Sequence, residues 1–410
     1  MSSDQDPRPL LQIFHITDLH FIDDYDDVAR LIAERRWFSL LLRKTFSTAK
    51  PRMMHEGTLG HEDTAISAFS RILAAMKKQD KDWFPNGDQE GPHTWIVDTG
   101  DATTFGDVRS MDLAYKSLNE WRSMVGSAKL LSVVGNHDLW PGTQPGAAAF
   151  DDFAARMGVQ RGQIDSYDLW NDLGPASPFV LNSSLGLSIE LYSIGTLSCE
   201  VRDAFLARGR VSEESQKRLV DAVSQHGKPD ALRILASHHP FAFPYETKLI
   251  PSFQDMVLEN PEVVAAAPHP AQQGEPLIHM FLGGHTHVGM PGCPLPSHIQ
   301  DLKQGGLGSS QLQLVSGPLL QQRVEVGDDA GPNFGLKSQP DFSDVSQIRG
   351  SQQFQLLRFY ERSERGEVIL EVERIPFVRL VTEDEYVPLK DLASVIELYR
   401  RNLSQSDEAQ

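Results

Sequence analysis

The chain has 410 residues, a formal net charge of −18 and an ordinary globular composition, enough for one large α/β domain with extensions or for two domains. The acidic balance argues against broad nucleic-acid binding, which relies on Lys and Arg neutralising phosphates, and no apolar run approaches the ~18 residues that a membrane-spanning helix needs. Two cysteines, Cys199 and Cys293, give no disulfide framework, and the polar opening "MSSDQDPRPL" has no apolar signal core, so a reducing, cytoplasmic setting is expected.

Short apolar runs recur along the chain, and several close on a small polar cluster. "LLQIFHITDLH" (10–20) reads as a strand that stops at Asp18 and His20. An insert, 21–62, follows. Its centre, "VARLIAERRWFSLLLRKTF" (28–46), sets Val28, Leu31, Ile32, Phe38, Leu41 and Leu42 near helical spacing and concentrates Arg30, Arg35, Arg36, Arg43 and Lys44. A basic amphipathic helix is expected there, acting as a packed edge, a self-association element, a cap over the neighbouring loop or a contact to an anionic membrane surface. A helix over 63–80 with Asp63 as N-cap leads to the strand "HTWIVDTGD" (93–101), which ends at Asp98, Gly100 and Asp101. A second helix, 110–126, precedes "KLLSVVGNHD" (129–138), which stops at Asn136, His137 and Asp138. A third helix, 212–226, begins at Ser212 as N-cap. "LRILASHHP" (232–240) then ends in His238 and His239, and "LIHMFLGGHTH" (277–287) in His285 and His287. The Gly-, Pro-, Ser- and Asp-rich stretch 327–352 reads as a long surface loop. A hairpin pairs "FQLLRFY" with "EVILEVERI" across "ERSERG", and a helix is expected at 389–402.

Strands alternating with helices indicate an α/β architecture, with ligand-bearing loops at the carboxyl ends of the strands. Five strands carry their chemistry-bearing residues at that same end. His285 and His287, two residues apart, project to one side, and Gly283 and Gly284 let the backbone approach a common object.

In chain order the strand ends read D-x-H, G-D, G-N-H-D, H-H-P and G-H-x-H. Over about residues 10–320 this series resembles the calcineurin-like metallophosphoesterase superfamily. The resemblance implies an α/β fold, an αββα sandwich of two facing mixed β-sheets flanked by helices. It makes 1–375 the catalytic domain and 376–410 a C-terminal helical extension. It also implies two divalent metal ions. One would be held by Asp18, His20, Asp101 and His287, the other by Asp101, Asn136, His238 and His285, with Asp101 bridging. Carboxylate, imidazole and amide oxygen together suit Mn, Fe or Zn better than Mg. Two such ions about 3.5–4 Å apart lower the pKa of a bridging water and clamp a phosphoryl oxygen. The resemblance assigns His137 as general acid or as a group that steadies the transition state, and the residue read alone is also an orienter of the adjacent ligand. Asp138 either orients His137 or is structural, Asn136 is a candidate contact to substrate phosphate, and His239 reads either as such a contact or as a packing residue that supports the ligands. His15, His55, His61, His93, His226, His269, His279 and His298 fall outside the motifs and read as ordinary histidines, His55 and His61 least securely.

Within the superfamily, protein phosphatases follow G-D with an arginine-bearing stretch, which "GDATTFGD" lacks. Purple acid phosphatases place a tyrosine where Thr104 stands, so no iron–phenolate colour is expected. "GDATTFG" is similar to the G-D-L-T-D-x-G of bacterial-type phosphodiesterases, including the cyclic-nucleotide group. The expectation is a phosphodiesterase on small nucleotide-like or glycerophospho-type diesters; the alternatives are a phosphomonoesterase, a nuclease, or a binding scaffold without turnover.

Overall fold

The computed structural model describes residues 9–22, 61, 63–79, 93–104, 106, 108–126, 128–139, 168–171, 178–183, 186–196, 209–228, 231–242, 258–272, 275–286, 290–294, 311–320, 352–364, 367–380, 384–389 and 393–402. The basic insert's centre, the stretch 327–351 and His287 lie outside the described residues.

The chain opens with β1 (Leu11–Ile16), α1 (Asp63–Gln79), β2 (His93–Asp98), α2 (Val108–Met124) and β3 (Lys129–Val133). The three strands are parallel neighbours, and a short 3₁₀ helix, His137–Leu139, follows the third. Next come β4 (Asp168–Asn171), β5 (Phe179–Asn182), β6 (Ser188–Ser193), α3 (Glu213–His226), β7 (Ala231–Ala236), α4 (Glu262–Ala265) and β8 (Met280–Gly283). The series closes with β9 (Met290–Pro294), β10 (Leu312–Val315), β11 (Gln353–Glu364), β12 (Glu367–Leu380), β13 (Glu385–Pro388) and β14 (Ser394–Asn402). One sheet runs β13-β12-β11-β1-β2-β3-β4 with β14 added on β12, and the other runs β5-β6-β7-β8-β10-β9.

Side-chain alternation builds three apolar layers from these two sheets. Leu11 and Ile13 of β1, Trp95 and Val97 of β2, and Leu131 and Val133 of β3 meet Leu232 and Ile234 of β7 and Met280 and Leu282 of β8 between the sheets. The intervening residues point the other way. Phe14, Ile16, Ile96 and Leu130 pack under α1 and α2, while Leu235 and Phe281 pack under α3 and α4. Strands covered on both faces carry apolar residues on both, which is why β1, β3, β7 and β8 read as mainly apolar runs, with Gln12, His15, Ser132 and Arg233 as buried polar exceptions. The result is the expected αββα sandwich of two facing mixed sheets. Phe69 of α1 packs edge-on against Trp121 of α2 and Phe354 of β11, with centroids 4.8 and 5.0 Å apart, and seats both helices on the first sheet.

The helices expected at 63–80, 110–126 and 212–226 form with boundaries within two residues of the reading. Ser212 caps α3 by accepting the Ser215 N–H at 3.0 Å. The hairpin strands run on through most of "ERSERG", pairing Glu364 with Glu367. One element is corrected. The helix expected at 389–402 is instead a strand over Ser394–Asn402, antiparallel to β12. Val395, Ile396 and Tyr399 favour extended backbone, and the long edge of β12 offers the ladder that an isolated segment would lack. Among the described residues no helix is long and apolar enough to cross a membrane.

Candidate metal centre

The loops that leave β1, β2 and β8 turn sharply where their polar residues sit. Asp18 and His20 after β1, Asp101 after β2 and His285 after β8 have φ of 51°, 50°, 55° and 67°; among the described residues only Asp384 joins them as a non-glycine with positive φ. Left-handed backbone costs such residues about 1–3 kcal/mol each and persists only where the surroundings over-determine it. Here the surroundings do. The Asp18, His20 and Phe21 N–H groups donate to the carbonyls of Gly100, Asp101 and Ala102, each at 2.9 Å, so the first two loops remain laced together beyond their strands. The second sheet is tied in by the His285 N–H, which donates to Asp18 Oδ2 at 3.0 Å. Gly284 makes that crossing feasible: a Cβ there would lie 1.9 Å from Thr17 Oγ1.

Three side chains from both sheets converge on His238, which follows β7. Its Nε2 lies 2.9 Å from His285 Nδ1, 3.0 Å from Asn136 Oδ1 and 3.3 Å from Asp101 Oδ2. Its Nδ1 lies 2.8 Å from the Thr99 carbonyl, which can only accept, so Nδ1 carries a hydrogen and the neutral ring presents its Nε2 lone pair to the cluster. Burial, the largest influence, lowers the His238 pKa, but the charge and hydrogen bond of Asp101, the charge of Asp18 and the Thr99 carbonyl outweigh it and push it up to about 9. Asp101 shows the reverse balance. Burial raises it, and His238, His137 and His20 hold it well below the usual carboxylate range. A buried point surrounded by acceptors selects a positive charge, and the donor set fits a borderline divalent ion.

Metal-competent atoms fall within 4.8 Å of one another in two groups among the described residues: Asp101, His238 and His285, and His20, Asp101 and His137. Asp101 is common to both. Asp18, whose Oδ1 is 3.9 Å from His20 Nε2, adjoins the second group. The structure thus brings together Asp18, His20, Asp101, Asn136, His137, His238 and His285; the remaining candidate, His287, lies outside the described residues.

His137 differs from its neighbours in being partly exposed. Its ring stands edge-on to that of His20, centroids 4.8 Å apart, and its Nδ1 is 3.1 Å from the Thr104 carbonyl, which places a hydrogen on Nδ1. The His137 N–H donates to Asp101 Oδ1 at 2.8 Å.

Asp138 serves the backbone. It accepts the N–H groups of Gly135 (2.8 Å), Thr103 (2.8 Å) and Ala102 (3.3 Å) and the Thr103 hydroxyl (3.0 Å), riveting the β3 loop to the β2 loop. Burial and the Asp101 charge push it up to about 7, against the pull of those donors. Asp98, fully buried, accepts from Ser132 Oγ at 2.5 Å and from the Gly100 N–H at 3.2 Å.

Two residues that the motifs passed over also reach this neighbourhood. His61 Nδ1 accepts the Ile22 N–H at 3.1 Å and its ring lies 5.0 Å from that of Phe21, so the chain on either side of 23–60 meets directly behind His20. His55 lies outside the described residues. Thr196, after β6, binds His239 at 2.9 Å. Its only sequence signal is its place at a strand's carboxyl end. His239 itself is fully buried, its ring 4.2 Å from that of His285.

No curated protein matches the chain. Residues 11–289, more than half of its length and a span running through every motif above, match the model of the calcineurin-like phosphoesterases, whose chemistry is metal-dependent phosphoester hydrolysis. The chain belongs to the calcineurin-like phosphoesterase family.

Proposed function

We propose that the protein is a phosphodiesterase for small nucleotide-like or glycerophospho-type diesters, working with two divalent ions of the Mn, Fe or Zn kind. The convergence of Asp101, Asn136, His238 and His285 on one buried point carries this reading. Asp18, His20, Asp101 and His287 would hold one ion, and Asp101, Asn136, His238 and His285 the other. When bound, such a pair activates water and neutralises phosphoryl charge.

The chain's own residues supply the rest. Asp101 stands between the two groups and fixes the His137 backbone through Oδ1. Asn136 contributes a neutral oxygen, limiting the negative charge that an anionic substrate must approach. His137, held through its Nδ1–H by the Thr104 carbonyl, turns Nε2 towards the leaving oxygen and in its imidazolium form gives up the Nε2 proton to it, returning to the neutral ring. His239 is fully buried with its ring against that of His285.

The diester preference rests on the "GDATTFG" motif, whose parts act as a unit. The Thr103 hydroxyl donates to Asp138 and accepts the Gly106 N–H at 3.0 Å, and Gly106, at φ 60°, leaves no room for a Cβ against the Asp138 carbonyl. The Thr104 hydroxyl donates to the His20 carbonyl at 2.8 Å, so the position that holds a metal-binding tyrosine in purple acid phosphatases is turned to the backbone here.

A hydrolysis screen with manganese tests the reading, using bis-p-nitrophenyl phosphate, cyclic nucleotides, glycerophosphodiesters and the matching monoesters. Diesters should be cleaved with higher kcat/KM than monoesters. Monoester preference, cleavage of polynucleotide alone, or metal binding without turnover on any substrate would each replace the proposal with a specific alternative.

A further inference from the structure

Three separate segments close around His239. Thr196 Oγ1 lies 2.9 Å from its Nδ1 and accepts its backbone N–H at 3.3 Å, while the His239 carbonyl accepts from Ser237 Oγ at 3.0 Å. Gly209 lies flat against the ring, where a Cβ would fall 2.4 Å from His239 Cγ. The frame is itself fastened. Arg210 N–H donates to the Thr196 carbonyl at 2.8 Å, Glu259 N–H to the Gly209 carbonyl at 2.9 Å, and Leu258 N–H to the Pro240 carbonyl at 3.1 Å. A fully buried imidazole held by a tether, a close wall and this frame has one rotamer.

What that ring touches is His285. The two centroids are 4.2 Å apart at 51°, and the His238 ring lies 4.6 Å from His285. His285 extends from a left-handed backbone, so the rings on either side govern where its Nδ1 points.

We propose that His239 is a positioning residue for the metal centre: its ring, tethered to Thr196 and seated on Gly209, fixes the imidazole of His285 so that Nδ1 meets the same point as His238 Nε2. The inference rests on the reading that His238 and His285 share an ion. The physical reason is tolerance. Ligand geometry must hold within about 0.5 Å and 10–20°, and loss of a residue that orients a ligand typically weakens metal binding about 10–100-fold.

The test is titration of metal-free protein with Mn²⁺, followed by calorimetry and metal analysis, on wild type, His239→Ala, His239→Phe and Thr196→Val. In His239→Ala one of the two ions should bind about 10–100-fold more weakly while the other changes less than about threefold. His239→Phe keeps a ring against His285 and should recover most of that loss; Thr196→Val, which cuts the tether, should fall between. Wild-type affinity for both ions in His239→Ala overturns the inference and leaves the metal centre standing. So does a raised KM with unchanged metal affinity, which makes His239 a substrate contact. Equal weakening at both sites with no recovery in His239→Phe reduces the residue to general packing and also overturns it. Wild type that binds no ion overturns the metal reading itself.

Discussion

Nε2 of His238 lies 3.0 Å from Oδ1 of Asn136, although the tether of His238 Nδ1 to the Thr99 carbonyl leaves the neutral ring only a lone pair to offer there. Asp101 Oδ2 at 3.3 Å is a further acceptor. A proton on Nε2 relieves this for one partner at a time. A metal ion relieves it for all of them at once, so proton and ion compete for one place.

That competition sets a pH dependence. His238 is pushed up to about 9 from an ordinary value of 6.5. In metal-free protein its contribution to stability is therefore complete below about 6.5 and disappears as pH rises through 9. Ion binding must expel this proton, so apparent Mn²⁺ affinity should climb between pH 7 and 9, by up to about tenfold per unit. Calorimetric titration at pH 7, 8 and 9 measures it, and a flat profile would show that the ion does not displace a proton from His238.

Asp101→Asn should abolish turnover and bring metal content towards one ion or none, since this carboxylate belongs to both groups of candidate ligands. The substitution also leaves Oδ1 to accept the His137 N–H, so the backbone turn should survive. Near wild-type activity at saturating manganese would rule out a two-ion centre built around this residue.

His137→Ala should behave unlike a ligand change. Both ions should still bind, while kcat falls by roughly 10²–10⁴ for substrates whose leaving oxygen needs a proton. With p-nitrophenolate as leaving group the deficit should shrink. Equal losses across leaving groups would identify His137 as a residue that orients substrate.

Most of the centre was legible because its residues sit in short motifs at strand ends, and the apolar runs before them mark those ends. Asp18, His20, Asp101, Asn136, His137, His238 and His285 come together at those strand ends. The residues that brace them were not legible. Thr99 acts through its carbonyl, which any residue would supply. Thr196 lies 43 residues from its partner His239, with no motif around it. His61 meets Ile22 across a 39-residue interval whose pattern says nothing of where it returns. Ser394–Asn402 failed for a related reason: its strand state depends on the edge of β12, a tertiary partner that local pattern does not reveal.

Asp138→Ala should be more damaging to folding than its distance from substrate suggests. It leaves three backbone N–H groups and the Thr103 hydroxyl without their buried acceptor. Each unsatisfied donor costs about 1–3 kcal/mol, so thermal unfolding should occur well below that of wild type. Asp138→Asn retains one acceptor oxygen and should lie between the two. An unchanged melting temperature in the alanine variant would mean that the β2 and β3 loops hold together without it.

The last prediction concerns His15, a histidine outside the motifs. It sits on β1 two residues after Ile13, fully buried, with Nε2 3.3 Å from Thr99 Oγ1 and its carbonyl accepting from Ser316 Oγ at 3.2 Å. Burial, helped by the nearby charge of Arg374, pushes its pKa down to about 3. The folded protein therefore keeps this ring neutral over a range in which the unfolded chain, titrating near 6.5, binds a proton. With more protons on the unfolded state, stability falls as pH drops below about 6.5, by roughly 1.4 kcal/mol per unit from this residue alone, until the folded form is protonated near 3. His15→Gln removes that slope while offering Thr99 another polar partner. Urea unfolding at pH 7, 6 and 5 should show wild type losing stability more steeply than the variant, by about half that amount between pH 7 and 6 and close to all of it between pH 6 and 5. Carboxylates that titrate in the same interval contribute to both proteins and cancel in the difference. Parallel slopes would mean that His15 is protonated in the folded state as readily as in the unfolded chain, and that β1 accommodates a charge between the sheets.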